Sequence, residues 1–307
     1  MSPVQITVES GDVVEFEADV LVLKYADGLH GADAAVATVL HENGRRLDFP
    51  EKGKAIAVTS PHIRSPHVIF IGVGSLYAFD YVKIREFARK AINLLGATVP
   101  KARHMAITLH GPGYGLDEIE AFDAEVAGLL EGIRSYESPS LERITFVERD
   151  ARRANRLAHR LNTILANEPT VVRNAGYDTA KKPLAFVAMP FAREMQDIYD
   201  YGIFRPANEC GFVCERADQV VFNDDIMQWV KSRIAAADIV IADVTGANPN
   251  VYLEVGYAWG LKKETVLLIR EPEKPKFDLQ SYRHYSYELI GDLEKQIRAV
   301  LLARKPA

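Results

Sequence analysis

The sequence predicts an α/β protein with two domains, a mixed-sheet domain followed by a flavodoxin-like, doubly wound parallel-sheet domain. The chain has 307 residues, enough for two domains of ordinary size. Short apolar segments alternate with longer segments of helical periodicity along most of its length. Several apolar segments, such as residues 18–24, are almost continuous, which is typical of strands that helices cover on both faces.

The first half, residues 1–170, alternates strands and helices in a pattern that favours a mixed sheet. Its apolar segments predict strands over residues 4–8, 18–24, 55–59, 67–73, 105–109 and 143–147. Its periodic segments predict helices over residues 32–42, 81–95, 119–133 and 151–166. Residues 171–182 are weakly periodic and rich in turn formers, so they predict a linker.

The second half, residues 183–307, repeats a strand-then-helix order. Strands are predicted over residues 183–189, 212–216, 238–242 and 265–269, with a further short segment over residues 282–285. Helices are predicted over residues 194–209, 225–236, 251–261 and 287–302. This order indicates a mostly parallel, doubly wound sheet, in which ligands bind beyond the carboxyl ends of the strands near the switch point.

Composition excludes several classes of protein. A net charge of -5 and a pI near 5.9 argue against a nucleic-acid-coating surface, which needs clustered Lys and Arg. The two cysteines, Cys210 and Cys214, form neither a disulfide framework nor a zinc site, and we expect buried thiols in a reducing compartment. No leader pattern or long apolar run is present, so we expect a cytoplasmic protein with no membrane partner. The histidines lack metal-ligand spacing, and we expect no bound metal or cofactor.

Two glycine clusters directly follow predicted strands of the first half. Gly72 and Gly74 fit a tight turn best. The second cluster, which contains Gly111, Gly113, Tyr114 and Gly115, precedes a predicted helix. Glycines in such a place let backbone N–H groups approach a phosphate at the helix N-terminus, but they also suit a tight turn. Both interpretations of the second cluster stay open.

Four segments of the first half resemble the N-terminal, macro-like domain of leucyl aminopeptidases. They read FEADVLVLKYADGL, HVIFIGVGSLYAFDYVKIREFARKAINLL, EVAGLLEGIRSYE and ERITFVERDARRANRLAHRLNTILANEPT. The resemblance implies a macro-type fold. Because macro domains often bind ADP-ribose or related nucleotides, it also implies a nucleotide activator at the matching loop, His110 to Gly115. No run of peptidase metal ligands follows Pro169, so peptidase activity is not implied.

Candidate substrate-binding residues of the second half follow the predicted strands. Met189, Pro190 and Phe191 would form an apolar wall for a base. The polar loop that begins at Asp243 supplies oxygen and amide groups for sugar hydroxyls, and Asp225 would bind hydroxyls or assist proton transfer to a leaving base. The polar side chains of this loop that we assign to substrate binding are Asp243, Asn248 and Asn250.

Glu254 is the candidate catalytic residue. We place it on the first turn of the helix that follows the polar loop, with its carboxylate directed toward the same crevice. A glutamate at a helix start can also merely complement the helix dipole. A carboxylate beside the anomeric carbon would instead stabilise or capture the oxocarbenium character that develops when a C1'–N bond breaks.

The second half resembles the nucleoside 2-deoxyribosyltransferase-like family and its TIR-like prokaryotic relatives. The resemblance rests on FVAMPF, ADVTGANPNVYLEVGYAWGLKKETVLLI and FDLQSYRHYSYE. In that family the Glu of an E-x-G-x-A segment acts on the anomeric carbon. Here Glu254, Gly256 and Ala258 match it. Asn248 stands where transferases often carry an acidic substrate-binding residue, which is a departure from the pattern.

These observations predict an N-glycosidase that is gated by the first domain. Its substrate would be NAD, a nucleoside or a nucleoside monophosphate. NAD would be a substrate rather than a cofactor. Two alternatives stay open: a non-catalytic nucleotide-binding signalling protein and a nucleoside deoxyribosyltransferase. The resemblance also implies a homo-oligomer, and the pairing of domains suggests a role in bacterial stress or antiphage defence.

Overall fold

A six-stranded mixed sheet and a five-stranded parallel sheet confirm the predicted fold class. The computed structural model describes residues 4–75, 79–135, 140–177, 182–217 and 226–304. The chain divides into two units, Met1–Ala180 and Lys181–Ala307. The division lies inside the segment that was predicted to be a linker.

Unit 1 has strands and helices close to the predicted positions. Its strands are β1 (Gln5–Ser10), β2 (Val20–Tyr25), β3 (Ala55–Thr59), β4 (His67–Gly72), β5 (His104–Ile107) and β6 (Arg143–Glu148). Its helices are α1 (Ala32–Glu42), α2 (Tyr81–Thr98), α3 (Glu118–Ser135), α4 (Ala151–Ala166) and α5 (Glu168–Asn174).

The sheet of unit 1 has the order β1-β6-β5-β2-β4-β3, in which β3 is antiparallel to β4 and every other described pair is parallel. Val20 and Val22 of β2 join the apolar cluster that contains Phe87 of α2, whereas Leu21 belongs to a second cluster with Leu40 of α1. Alternate residues of β2 therefore pack on opposite faces, as its continuous apolar sequence predicts.

The first residues of the predicted linker are helical. Helix α5 starts with Pro169 in its first turn, where a missing N–H costs nothing. The buried guanidinium of Arg85 donates to Glu131 at 3.1 Å and also to the carbonyl groups of Val172 and Ala175. Charge-assisted bonds from one buried side chain therefore hold this segment in unit 1.

Unit 2 contains the second sheet. Its strands are β7 (Leu184–Ala188), β8 (Val213–Arg216), β9 (Ile239–Asp243), β10 (Thr265–Arg270) and β11 (His284–Tyr287). Its helices are α6 (Arg205–Glu209), α7 (Ile226–Ala236), α8 (Pro249–Gly260), α9 (Phe277–Gln280) and α10 (Ile290–Leu302). A 3-10 turn at Arg193–Met195 and a π-helix at Ile198–Phe204 precede α6, where one continuous helix was predicted.

All described strand pairs of unit 2 are parallel, in the order β11-β10-β9-β7-β8. Counting from β7, this is the flavodoxin-like order, and its switch point lies between β7 and β9. Val187 and Ile241 pack with Leu293 of α10 on one face, and Phe186 packs near Trp229 of α7 on the other. Helices thus cover both faces of the sheet.

Both cysteines are buried, as predicted, and neither is in a disulfide. Burial raises the pKa of the Cys214 thiol to about 12. No helix within the described residues is long and apolar enough to cross a bilayer.

Candidate functional site

The two strands at the switch point of the unit 2 sheet lead into the two loops that were predicted to bind substrate. Ala188 of β7 pairs with Ala242 of β9 in the last rung of their ladder. The chain then continues into Met189 on one side and Asp243 on the other. In a parallel α/β sheet this is the place where a crevice opens for a ligand.

The three residues of the predicted apolar wall differ in exposure. Met189 is buried, and its sulfur lies 3.6 Å from Nη1 of Arg216. Pro190 is half-buried. Phe191 has 54% of its surface exposed. Phe191 is therefore the member that can stack on a planar base, while Met189 supports the wall from beneath.

Asp243 is a structural carboxylate at the end of β9. It is fully buried, its Oδ2 accepts a hydrogen bond from the Tyr287 hydroxyl at 2.6 Å, and its Oδ1 accepts from the Thr245 N–H at 3.0 Å. Burial raises its pKa. Since both oxygens already have partners, Asp243 holds β11 and the polar loop in place, and its predicted contact with a sugar stays a prediction.

The two asparagines of the polar loop start helix α8. The Asn248 side chain accepts from the Asn250 N–H at 2.9 Å and is the N-cap of the helix. Asn250 is exposed in the first turn. The predicted helix start at residue 251 was therefore two residues late, because Pro249 suits the first turn of a helix.

Glu254 lies on the second turn of α8, so its predicted place on the first turn was wrong. A charge on the second turn gains little from the helix dipole, which weakens the merely electrostatic interpretation of this residue. Because Cα–Cβ bonds tilt toward the helix N-terminus, its side chain covers the turn that leaves the polar loop.

The carboxylate of Glu254 is half-buried, beside the buried residues Val251 and Val255. Among the described residues it has no hydrogen-bond or ion-pair partner. Burial alone raises its pKa from 4.5 to about 7. A partly desolvated carboxylate without a partner among the described residues is typical of a functional group.

The predicted substrate residue Asp225 lies outside the described residues.

Sequence reasoning missed the segment that follows β10. Oε2 of Glu273 accepts from the Gly246 N–H at 2.8 Å, and the Lys276 N–H donates to the Tyr252 hydroxyl at 3.2 Å. These bonds join the segment to the polar loop and to α8. Next to it lies a cavity of about 470 Å³, lined in part by Glu271, Glu273 and His284. The segment has a charged, proline-rich sequence that is typical of an ordinary connection between two strands.

Arg216 is a second residue that sequence reasoning missed. It is 2% exposed at the carboxyl end of β8, donates to Oε1 of Gln196 at 2.6 Å, and lies 4.0 Å from the centre of the Tyr199 ring. Tyr199 belongs to the π-helix, an element that often occurs near functional sites. The available signal was an arginine at the end of a predicted strand.

The predicted ligand loop of unit 1 lies between β5 and α3. Gly111, Gly113 and Gly115 all have positive φ, which only glycine adopts without strain. The Tyr114 ring packs edge-on against His30 at 5.7 Å, next to the carboxyl end of β2. The four predicted residues therefore share one loop at the carboxyl edge of the sheet.

A buried pair fixes the start of this loop. Glu125 accepts from the His110 N–H at 3.1 Å, and its other oxygen lies 2.7 Å from His110 Nδ1. Burial raises the pKa of Glu125. At the other end, Asp117 accepts from the Ile119 and Glu120 N–H groups at 2.9 and 3.1 Å. A phosphate at the α3 N-terminus would have to share the N–H groups of the first turn with the Asp117 carboxylate.

No family model matches the chain, and no curated protein matches it. The chain is similar to solved macrodomain structures. A Trypanosoma brucei macrodomain in complex with ADP-ribose is 14% identical over 51% of this chain and 69% of that chain, with a TM-score of 0.44. A variant of the Oceanobacillus iheyensis macrodomain is 17% identical over 53% and 92%, with a TM-score of 0.41.

The macro domain of ganglioside induced differentiation associated protein 2 is 10% identical over 52% of this chain and 82% of that chain, with a TM-score of 0.42. Likenesses as distant as these three carry no information about ligand or activity. The resemblance of unit 2 to N-glycosidase domains stays a prediction.

Proposed function

We propose that the protein is an N-glycosidase that cleaves the C1'–N bond of a nucleotide in unit 2, with Glu254 as its catalytic group and unit 1 as a nucleotide-binding regulator. The position of Glu254 carries this proposal. Its carboxylate lies on the helix that leaves the switch-point loop, is half-buried, and has no partner among the described residues.

The proposed chemistry needs one carboxylate. As the C1'–N bond breaks, its electron pair leaves with the base and the anomeric carbon gains positive charge. The negative charge of Glu254 would stabilise that carbon or bond to it. Water would then add to C1' and lose a proton to solvent, which frees Glu254 and releases the sugar. A cationic base such as nicotinamide in NAD leaves as a neutral molecule and needs no acid. NAD therefore makes the smallest demand on this site.

Phe191 would bind the leaving base. Its exposed ring lies at the switch point, where stacking on a planar base buries apolar surface. Asp243 and Asn248, by contrast, hold the loop and the helix start. In this arrangement the polar loop shapes the crevice through its backbone more than through its side chains.

The experiment is to incubate the full chain with NAD and, separately, with a panel of nucleosides and nucleoside monophosphates, and to measure free base by chromatography. Each reaction is run with and without ADP-ribose as the test activator. We expect base release that Glu254→Gln abolishes. The control is Glu264→Gln, an exposed glutamate at the opposite edge of the sheet. If no base appears under any of these conditions, the N-glycosidase proposal is wrong.

A second candidate function is nucleotide binding without turnover. The engagement of Asp243 and Asn248 in structural bonds favours it, because few polar side chains are then left to act on a sugar. It predicts that a nucleotide binds and is recovered intact. A deoxyribosyltransferase would instead exchange the base when a second free base is added.

A further inference from the structure

A small cavity in unit 1 lies at the carboxyl end of β4, away from the glycine loop that follows β5. Its volume is about 120 Å³. The turn before β3 closes one side: the Gly53 N–H donates to the Gly72 carbonyl at 2.8 Å, and the Gly72 N–H donates to the Lys54 carbonyl at 3.0 Å. A Cβ on Gly72 would lie 2.2 Å from the Glu51 carbonyl oxygen, so only glycine lets the turn pack here.

Positive charge dominates the lining of this cavity. Three of its four charged lining residues are Lys52, Lys83 and Lys90, and the fourth is Glu86. Lys83 is paired with Asp80 at 2.7 Å. The Lys90 ammonium donates to the carbonyl group of Gly53, which is a neutral partner. That bond uses one of its three N–H donors, and the carbonyl group does not neutralise its charge.

The remaining wall of the cavity is apolar, formed by Ile71, Val73 and two phenylalanines. Phe79 and Phe87 line it, and they are only 5% and 3% exposed. An apolar wall lowers the local dielectric and strengthens the attraction between an ammonium group and an anion. Phe87 also packs edge-on against His110, with 4.5 Å between ring centres. One side chain therefore contacts both this cavity and the start of the glycine loop.

We propose that this cavity binds a tetrahedral oxyanion of the phosphate type, held by Lys52 and Lys90. A volume of about 120 Å³ accommodates a phosphoryl group. The phosphoryl group comes either from free phosphate or from the end of a phosphate monoester. This site is separate from Gly111–Gly115 and does not depend on the N-glycosidase activity.

The test is a phosphorus NMR titration of the full chain with inorganic phosphate at constant ionic strength, with wild type compared with Lys52→Ala and Lys90→Gln. We expect saturable binding that each substitution weakens by about five- to tenfold, since each removes a charged donor. The control is Lys54→Ala. This lysine lies on the same turn but pairs with Glu51 in an exposed bridge outside the cavity, so phosphate affinity should not change.

Competition by glycerol 2-phosphate shows which source the cavity accepts. Displacement of phosphate means that it takes the end of a monoester, and absence of displacement means that it takes the free ion. Circular dichroism checks that each variant is folded, and Lys52 is exposed, so its loss should not disturb folding. The proposal is overturned if wild type shows no saturable binding, if folded Lys52→Ala and Lys90→Gln bind as wild type does, or if Lys54→Ala loses as much affinity.

Discussion

The Glu254 carboxylate should destabilise the fold at neutral and alkaline pH. Its pKa rises from 4.5 to about 7 on folding, so the folded state holds its proton over a range in which the unfolded state has lost it. Stability contributed by this residue therefore falls as pH rises from about 4.5 to above 7. Replacing Glu254 by a neutral residue should remove this loss of stability, as at many functional sites where stability and activity conflict.

We therefore predict that Glu254→Gln raises the free energy of unfolding by about 1 to 3 kcal/mol at pH 8, a range reduced for the partial exposure of the residue. At pH 4 the difference should almost vanish, because the carboxyl group is mostly protonated in both states. Urea unfolding at both values of pH measures it. An equal gain at pH 4 would show that the effect is not electrostatic. The control is Glu264→Gln, which removes an exposed carboxylate paired with Arg304 and should change the free energy of unfolding by less than about 1 kcal/mol.

The same pKa predicts the pH dependence of catalysis. If the ionised carboxylate of Glu254 acts on the anomeric carbon, kcat/KM should rise with pH through about 7 and then level off, since this parameter reports on the free enzyme. Base release from NAD, measured between pH 5 and 9, provides the profile. A value of kcat/KM that falls through this range would instead make Glu254 a general acid and would favour a neutral nucleoside as substrate.

Tyr287 supports the loop through hydrogen bonds of its hydroxyl group to Asp243 and Thr245. Tyr287→Phe leaves Oδ2 of the buried Asp243 without its 2.6 Å donor, and we expect a loss of about 1 to 3 kcal/mol in the free energy of unfolding. Tyr285→Phe, two residues earlier on the same strand, removes a hydroxyl outside this bond and should cost much less. Chemical unfolding compares the two variants. Equal losses would mean that the bond to Asp243 is not what stabilises β11.

At the scale of the element, α8 shows how the polar loop serves folding. Asn248 caps the helix through its side-chain oxygen. Asn248→Ala should therefore destabilise the protein by about 1 kcal/mol, whereas Asn248→Asp should keep most of the cap, because both Asn and Asp accept from first-turn N–H groups. Urea unfolding distinguishes them. A similar loss in both variants would indicate that the amide group itself has another partner.

Sequence predicted most elements of the fold because their signals are local. Strand β2 and helix α1 follow apolar runs and periodicity, and α1 begins and ends at the residues predicted. The helix predicted over residues 194–209 fails for a specific reason. Pro206 has no N–H to donate to the carbonyl of Gly202, so the regular ladder is interrupted, and a π-helix occupies Ile198–Phe204.

The sequence predicts loops at the carboxyl ends of the strands but not the roles of their side chains. Met189 and Asp243 follow the neighbouring strands β7 and β9, and Glu254 lies on the helix after Asp243. The bond between Asp243 and Tyr287 joins residues 44 positions apart across an intervening strand. No local pattern encodes such a pair, so a structural carboxylate and a ligand-binding one look alike in the sequence.

At the scale of the whole molecule, regulation by unit 1 is the property that the two-unit organisation makes testable. The loop from Gly111 to Gly115 faces the carboxyl edge of its sheet, and Tyr114 packs against His30 there. A nucleotide bound at this edge would contact the loop. If its binding changes the affinity of unit 2 for substrate, substrate must change the affinity of unit 1 for the nucleotide by the same factor.

We predict that ADP-ribose raises the rate of base release by the full chain about five- to a hundredfold, the usual range of such coupling. Tyr114→Ala should bring the ratio of activated to unactivated rates toward one, because it removes the ring that fixes the loop beside His30. Calorimetry on the same variant separates loss of binding from loss of coupling. The matched control is Tyr177→Ala, an exposed tyrosine of unit 1 outside the loop, whose ring contacts the Arg85 guanidinium instead. Full activation in Tyr114→Ala would show that any regulation by unit 1 does not pass through this loop, and regulation would then have to be sought at the lysine-lined cavity beside Phe87.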